Sequence, residues 1–381
     1  CMACHTTRGG TPFAGGRRID TPFGGVYSSN LTPDPEHGIG QWSFSAFQRA
    51  MREGISRDGR HLYPAFPFTS FAKMSDDDLM ALYGYLMAQP AVASAPPTTS
   101  LAFPFNQRAF MATWKGLFHD ATPWVPAPDR SAEWNRGAYL VNGVGHCGAC
   151  HTPRNALGAS GAVDDLSGGL MPVVNWYAPD LTSDAESGLA STPLPEIVRL
   201  LRTGASDTAQ TNGPMGEVVQ HSLQHLKEAD LLAMAVYLQS RAQGTTQPVP
   251  DAAKLARSNA RVSAQVATQG AKVYERQCLQ CHGEQGEGMK TAAGEVAYPA
   301  LAGNRAVLLQ DPTNLVQLVL YGGYGPATAG HPRPFGMPPA VLELDDRDIA
   351  AVLTHLRSRW GNQASEVTPL QVNRIRAAQG H

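Results

Sequence analysis

The apolar pattern predicts the same amphipathic helix at three places along the chain. Each copy starts on acidic residues, which favour a helix N-terminus, and then places apolar residues on one helix face. The copies read SDDDLMALYGYL, KEADLLAMAVYL and DDRDIAAVLTHL. Aligning their aspartates defines a shared register, in which Asp78, Asp230 and Asp348 precede Tyr85, Tyr237 and His355 by the same interval. The three segments are therefore expected to be equivalent helices of a repeated unit.

A second helix and a polar loop precede each of these helices in the same order. The helices are predicted at SFSAFQRAMREG, PLPEIVRLLRTG and NLVQLVLYGG, and the loops before them at VYSSNLTPD, WYAPDLTSD and AYPALAGN. This recurrence predicts one unit of about 100 residues used three times. The expected fold class is all-α, with three tandem domains joined by proline-rich linkers.

Composition fits a well-packed globular protein and argues against several classes of function. Hydrophobic residues make up 43% of the chain and charged residues 16%, and the formal net charge of −2 gives no basic surface for nucleic acid. No apolar run is long enough for a transmembrane helix. The sequence also lacks a phosphate-binding glycine loop, a nucleophile elbow and paired metal carboxylates, so it shows no substrate chemistry of its own.

All six cysteines fall into one motif, which occurs once in each repeat as CMACH, CGACH and CLQCH. The side chains concerned are Cys1, Cys4 and His5, then Cys147, Cys150 and His151, and finally Cys278, Cys281 and His282. Cysteines at this spacing share one face of a helical turn, so both sulfurs can bond the vinyl groups of one porphyrin. The histidine that follows can then bind the iron.

Zinc and disulfides explain this pattern less well than haem does. Six cysteines would make one four-cysteine zinc site and leave a pair unused, and zinc gives no reason for a histidine after every pair. Disulfides need no histidine, and a redox CxxC pair would not recur three times. The motif therefore predicts three covalently attached c-type haems.

The repeats and the cysteine motifs together set the expected domain boundaries. The segments are a first domain at 1–90, a linker with an aromatic packing segment at 91–130, a second domain at 131–242, a linker at 243–260, a third domain at 261–361 and a tail at 362–381. A short helical pattern containing Gly137 or Gly270 precedes the last two motifs. We expect an equivalent helix to precede Cys1 in the first domain.

The first linker contains aromatic residues that need a surface on which to be buried: Phe103, Phe105, Phe110, Trp114 and Phe118. Its proline-rich ends are typical of a linker, but its centre is not typical of a flexible spacer. Two alternatives follow. The aromatic residues pack either on the haem domains of the same chain or on a partner protein.

This order of elements resembles the class I cytochrome c domain, a small all-α fold around one haem. The resemblance implies a methionine in the loop before the last helix as the sixth iron ligand, and its thioether raises the reduction potential relative to a second histidine. The loop NGPMGEVVQHSLQHL offers Met215, and RPFGMPPAVLEL offers Met337. These methionines are the expected sixth ligands of the second and third haems.

The first repeat has no methionine at the equivalent position. Its loop reads HLYPAFPFTSF and carries Phe66 there. Met74 is the predicted sixth ligand of the first haem, in a rearranged loop. His61 is the main alternative and would give a lower potential, and Met51 or an open iron are further ones.

Longer phrases resemble the triheme cytochrome c subunit of membrane-bound, quinone-reducing dehydrogenases of acetic acid bacteria and their relatives. They read TPFGGVYSSNLTPDPEHGIGQWS, RDGRHLYPAFPF, WNRGAYLVNGVGHCGACHTPRN and GPMGEVVQHSLQHL. The resemblance extends from Cys1 to about residue 360. It departs from the family at YPAFPF, where many relatives have YPAMPY, and at the C-terminus, where relatives often have a longer amphipathic segment.

The resemblance implies a peripheral protein on the periplasmic side of the cytoplasmic membrane that carries three haem c groups. Electrons would come from a large catalytic subunit that oxidises an alcohol, aldehyde, sugar or sugar acid with PQQ, flavin or molybdenum. They would pass to ubiquinone, with a small subunit as a possible further partner. Two alternatives from other classes are a free periplasmic multihaem shuttle and a haem peroxidase that uses an open first site.

If Met74 binds the first haem, we expect Met74→Leu to lower the reduction potential of one haem and to leave the other two unchanged, because loss of the thioether removes the ligand that raises the potential. Potentiometric titration of the purified protein measures this. Three unchanged potentials would rule Met74 out as the ligand.

Overall fold

The computed structural model describes residues 1–171, 173–243, 263–292 and 294–378. The chain divides into two compact units, Cys1–Leu166 and Ser167–His381. The boundary between the units falls inside the expected second domain. The linker predicted at 243–260 lies, beyond its first residue, outside the described residues.

The N-terminal unit is mainly helical. Its α-helices are α1 (Phe44–Glu53), α2 (Phe68–Phe71), α3 (Asp76–Met87), α4 (Arg108–Phe118), α5 (Ala132–Tyr139) and α6 (Gly148–His151). A π-helical turn, Leu140–Val144, continues α5 towards the second cysteine motif. One antiparallel sheet has the strand order β1 (Arg18–Thr21), β2 (Gly24–Tyr27) and β3 (Ser100–Leu101).

The described residues of the C-terminal unit form further helices and three antiparallel strand pairs. Its α-helices are α7 (Asp184–Ser187), α8 (Leu194–Thr203), α9 (Gly213–His221), α10 (Glu228–Gln243), α11 (Ala264–Gln277), α12 (Leu279–His282), α13 (Arg305–Leu308), α14 (Thr313–Tyr321), α15 (Asp346–Ser358) and α16 (Pro369–Ala378). A 3₁₀ turn, Leu223–His225, follows α9. The antiparallel strand pairs are β4 (Gly169–Met171) with β5 (Trp176–Ala178), β6 (Met289–Lys290) with β7 (Val296–Tyr298), and β8 (Gly323–Tyr324) with β9 (Gly336–Met337).

The helices predicted from the apolar period lie where the sequence indicated. The middle helices are α1, α8 and α14, and the acid-started copies are α3, α10 and α15. Serine caps fix two of these starts, because Ser43 accepts a hydrogen bond from the amide of Ala46 and Ser75 accepts one from the amide of Asp78. The described residues are mostly helical, and the all-α class and the three tandem domains stay predictions. The described residues also form four small antiparallel sheets, whose strands of two to four residues are too short to show an alternating pattern.

A helix precedes the third cysteine motif, as the repeat predicts, and it packs against α15. Gly270 of α11 lies against α15, where a Cβ atom would overlap the carbonyl oxygen of Ala351. The glycine therefore allows the two backbones to approach closely. In the first repeat, Met80 and Tyr85 of α3 are exposed by 49% and 54%.

The aromatic segment of the first linker packs on its own chain. Helix α4 buries Met111 and Trp114 in a cluster with Phe68 and Ala159 of the same unit. The ammonium group of Lys115 donates to the carbonyl oxygens of residues 53 and 54 at 2.6 and 3.2 Å, which satisfies the C-terminal end of α1. Of the two alternatives, packing within the chain is the one observed for Met111 and Trp114 of α4.

A buried arginine ties together the core of the third repeat. Arg357 of α15 is 0% exposed. Its guanidinium donates to the carbonyl oxygens of Val307, Leu309 and Ser365 at 2.8, 2.7 and 2.7 Å. Burial lowers its pKa to about 10, so it remains a cation at neutral pH. The arginine therefore holds the end of α13 and the segment around Ser365 against α15.

We expect Arg357→Met to lower the free energy of unfolding by about 3 kcal/mol, because three carbonyl groups lose their donor inside the core. Denaturant unfolding of the haem-loaded protein measures this, with the exposed Arg347→Met as the matched control. A loss no larger than that of the control would contradict the role assigned to Arg357.

Candidate haem-attachment sites

All three cysteine motifs form the same single helical turn. In each, the amide of the histidine donates to the carbonyl oxygen of the first cysteine, and the three bonds, His5 to Cys1, His151 to Cys147 and His282 to Cys278, are all 2.9 Å long. The amide of the second cysteine reaches the same carbonyl at 3.1 to 3.2 Å. The turn places both thiols on one side of the backbone, which is the arrangement that two thioether bonds to one porphyrin require.

No disulfide joins any of the six cysteines, all of which lie in the described residues. Loss of contact with water, with a smaller contribution from the neighbouring cysteine, raises the pKa of Cys147 to about 12 and that of Cys278 to about 11. Thiol–disulfide exchange needs a stabilised thiolate and hence a lowered pKa. In the described part of the chain, no three or more His, Cys, Asp or Glu side chains are grouped to hold a metal ion. The donor set fits one haem at each motif.

Two of the motif histidines are oriented by a main-chain carbonyl. The Nδ1 atom of His5 lies 2.7 Å from the carbonyl oxygen of Ser29, and that of His282 lies 2.9 Å from the carbonyl oxygen of Pro299. Burial lowers the pKa of His5 to about 4 and also lowers that of His282, so both rings are neutral. With the Nδ1 proton donated to the carbonyl, Nε2 keeps its lone pair free for iron.

The cysteine motif alone does not predict these acceptors, although the repeated loop carries a signal for them. Each acceptor stands two residues before a leucine of that loop, Ser29 before Leu31 and Pro299 before Leu301. Any residue can supply a carbonyl oxygen, so the register of the loop, rather than the residue type, identifies the acceptor.

The approach to the second motif packs on the end of the first repeat within the N-terminal unit. The ring of His146, which directly precedes Cys147, lies 5.4 Å from the ring of Phe71 in an edge-to-face arrangement. The hydroxyl of Tyr139 accepts from the amide of Ser75 at 3.1 Å. These contacts hold the second attachment turn next to the first repeat. The sequence pattern gave no reason to single out His146.

The two methionines predicted for the second and third haems lie in short regular elements of the C-terminal unit. Met215 lies in the first turn of α9, directly after Pro214, which suits the start of a helix. Met337 lies in β9, paired with Gly323. The histidine of the second motif belongs to the N-terminal unit and Met215 to the C-terminal unit. Both methionines remain predicted ligands.

The first repeat presents its candidate ligands differently. Met74 is 4% exposed and belongs to an apolar cluster with Phe47, Met51 and Leu79. His61 lies in the loop after α1, and its Nδ1 atom is buried with no hydrogen-bond partner. Burial lowers the pKa of His61, which favours a neutral ring. Met74 therefore stays the predicted ligand and His61 its alternative.

None of the helices in the described ranges is both long enough and apolar enough to span a bilayer.

Residues 267–360 match the family model for cytochrome c. The chain is 45% identical to a subunit of the nicotinate dehydrogenase of Pseudomonas putida over 98% of its own length, and it spans 31% of that relative. It is 38% identical to the cytochrome c subunit of alcohol dehydrogenase (quinone) of Gluconobacter oxydans, covering 96% of this chain and 77% of the relative. It is also 38% identical to the gluconate 2-dehydrogenase cytochrome c subunit of Pantoea cypripedii, covering 99% and 86%.

We expect Met215→Leu to lower the reduction potential of one haem and Met337→Leu to lower that of another. Each shift should be on the order of 0.1 V, because axial ligands set haem potentials over a range of about 0.8 V. Loss of the methionine–iron charge-transfer absorption of one haem should accompany each shift. The matched control is Met289→Leu, an exposed methionine of the third repeat. If the control and the two variants gave the same spectra and potentials, the ligand assignments would be wrong.

Proposed function

The chain belongs to the family of cytochrome c subunits of dehydrogenases, and on that premise we propose that it carries three covalent c-type haems and passes electrons from a dehydrogenase catalytic subunit to ubiquinone. The observation that carries the proposal is the threefold recurrence of one attachment turn with the same hydrogen bond from histidine to cysteine. The work of the complex would take place on the periplasmic side of the cytoplasmic membrane, with this chain bound peripherally.

The residues of the chain have distinct tasks in this function. The cysteines would hold each haem covalently, and the carbonyl oxygens of Ser29 and Pro299 fix the rings of His5 and His282, which would bind the iron. When bound, haem supplies one-electron oxidation and reduction at its iron. Methionine ligands at the second and third haems would close the sixth position and raise the potential, which favours electron transfer over reaction with peroxide.

Electron transfer also needs neighbouring haems to be held close together, and contacts between repeats support this. In the N-terminal unit, Phe71 of the first repeat touches His146 beside the second motif. In the C-terminal unit, Asn314 of the third repeat pairs with the main chain of Tyr177 of the second repeat through two hydrogen bonds of 2.8 Å. Tyr177 belongs to the repeated loop that supplies the histidine acceptors in the other two repeats.

The proposed partner is a large catalytic subunit that oxidises an alcohol, aldehyde, sugar or sugar acid with PQQ, flavin or molybdenum, with a small subunit as a further component. The relatives carry the names of dehydrogenases for alcohol, gluconate and nicotinate, and the alcohol enzyme is named with a quinone. These names support a dehydrogenase as electron donor and ubiquinone as acceptor.

The proposal is tested by purifying the tagged chain from detergent-solubilised membranes. We expect a large dehydrogenase subunit to co-elute, its substrate to reduce the haems, and a short-chain ubiquinone to reoxidise them. A lone cytochrome in the soluble periplasmic fraction would favour the free shuttle instead. Rapid reaction of one haem with peroxide, or carbon monoxide binding to one reduced haem, would favour the peroxidase.

A further inference from the structure

The loop that carries Met337 is a hairpin whose tip lies away from the methionine. Its base is the strand pair in which Gly323 faces Met337 and Tyr324 faces Gly336. Residues 325–335 form the tip, which is closed by reciprocal hydrogen bonds between Thr328 and His331 at 3.1 and 3.0 Å. Because the tip and the base belong to one closed loop, a restraint on the tip also restrains the backbone at Met337.

The tip is seated on the second repeat through two glutamine side chains. The Oε1 atom of Gln224 accepts from the amide of Ala329 at 3.1 Å, and its Nε2 atom lies 3.4 Å from the carbonyl oxygen of Ala327. The Oε1 atom of Gln220 lies 3.3 Å from the amide nitrogen of Ala327. The side-chain amides of Gln220 and Gln224 thus provide hydrogen-bond donors and acceptors to the main chain of the tip, as the edge of a β-strand does.

A steric fit accompanies these hydrogen bonds. Pro326 lies against Gly204, where a Cβ atom would overlap the proline ring, and against Gly216, where a Cβ atom would stand 3.7 Å from it. Gly204 has a φ of 80°, so a side chain there would be strained as well as obstructed. Gly216 directly follows Met215 in α9. The tip of one methionine loop therefore sits on the helix that carries the other methionine.

We propose that Gln224 is a positioning residue for the third haem, because it holds the hairpin that presents Met337. Through this contact the second repeat helps to position Met337, the predicted sixth ligand of the third haem. Helix α9, which carries Met215, and the hairpin that carries Met337 then support each other. A substitution that weakens the packing of one element therefore also weakens methionine ligation by the other.

The inference rests on Met337 as the ligand of the third haem, so Met337→Leu is measured first. That variant identifies the absorption and the potential that belong to the third haem. If Met337→Leu alters no haem, the ligand assignment itself fails. If it does alter one, the test of Gln224 judges the positioning role alone.

The test measures the affinity of the third haem for imidazole in the purified haem-loaded protein. Imidazole competes with methionine for the iron, so its affinity rises when the methionine is held less firmly. We expect Gln224→Leu to raise this affinity about tenfold, because the loop loses its hydrogen bonds to one side chain. The methionine–iron absorption of the third haem should weaken in the same variant. The matched control is Gln239→Leu, since Gln239 also donates to two carbonyl oxygens, of Leu189 and Thr192 at 3.2 and 2.8 Å, but on a loop without a methionine.

An imidazole affinity of Gln224→Leu within twofold of the control would overturn the proposal, as would an equal rise at all three haems. A second measurement uses the unaltered protein. Hydrogen exchange at the amides of Ala327 and Ala329 should be slow, because both face glutamine oxygens of the second repeat. Exchange at the rate of an open loop would overturn the proposal independently of any substitution.

Discussion

The hydrogen bond between the imidazole of the motif histidine and a main-chain carbonyl is the restraint on which the first and third attachment sites depend. In the first repeat it joins His5 to Ser29, and in the third it joins His282 to Pro299. One end of the bond belongs to the cysteine turn and the other to the loop that leads into the next helices. The bond therefore ties the cysteine turn to the loop and selects the tautomer in which Nε2 keeps its lone pair, so that this atom would bind the iron of a haem held by the cysteines.

The repeats are joined by packing as well as by linkers. Helix α4 covers the first repeat, and Lys115 satisfies the end of α1. Tyr139 and His146 place the second attachment turn beside the first repeat, while Asn314 and its neighbours join the second and third repeats within the C-terminal unit. Transfer of electrons between the proposed haems would depend on such contacts, because the separation of the haems controls the rate of transfer.

Much of the fold could be predicted from the sequence because its signals are local. The apolar period and the acidic starts located α3, α10 and α15, and serine caps reinforced the starts of α1 and α3. The attachment turns were predictable for the same reason, since cysteine and histidine are rare and their spacing fits one helical turn. The short strands carried too few residues to show a period.

The remaining features depend on contacts between residues far apart in the sequence. The acceptor carbonyls belong to a serine in one repeat and a proline in another, so residue type gave no signal. The contact of Gln224 with the Met337 hairpin spans about one hundred residues and involves a common polar side chain. Met74 illustrates the same limit, because its burial in an apolar cluster is visible only once the helices around it are assembled.

The most direct test of the central claim is the number of haems that remain attached when the protein is unfolded. The protein is expressed with periplasmic haem attachment, extracted with acidified acetone to remove free haem, and weighed intact by mass spectrometry under denaturing conditions. The account predicts a mass increase of three haems over the polypeptide. An increase of two haems or fewer, or the loss of all haem on extraction, would contradict it.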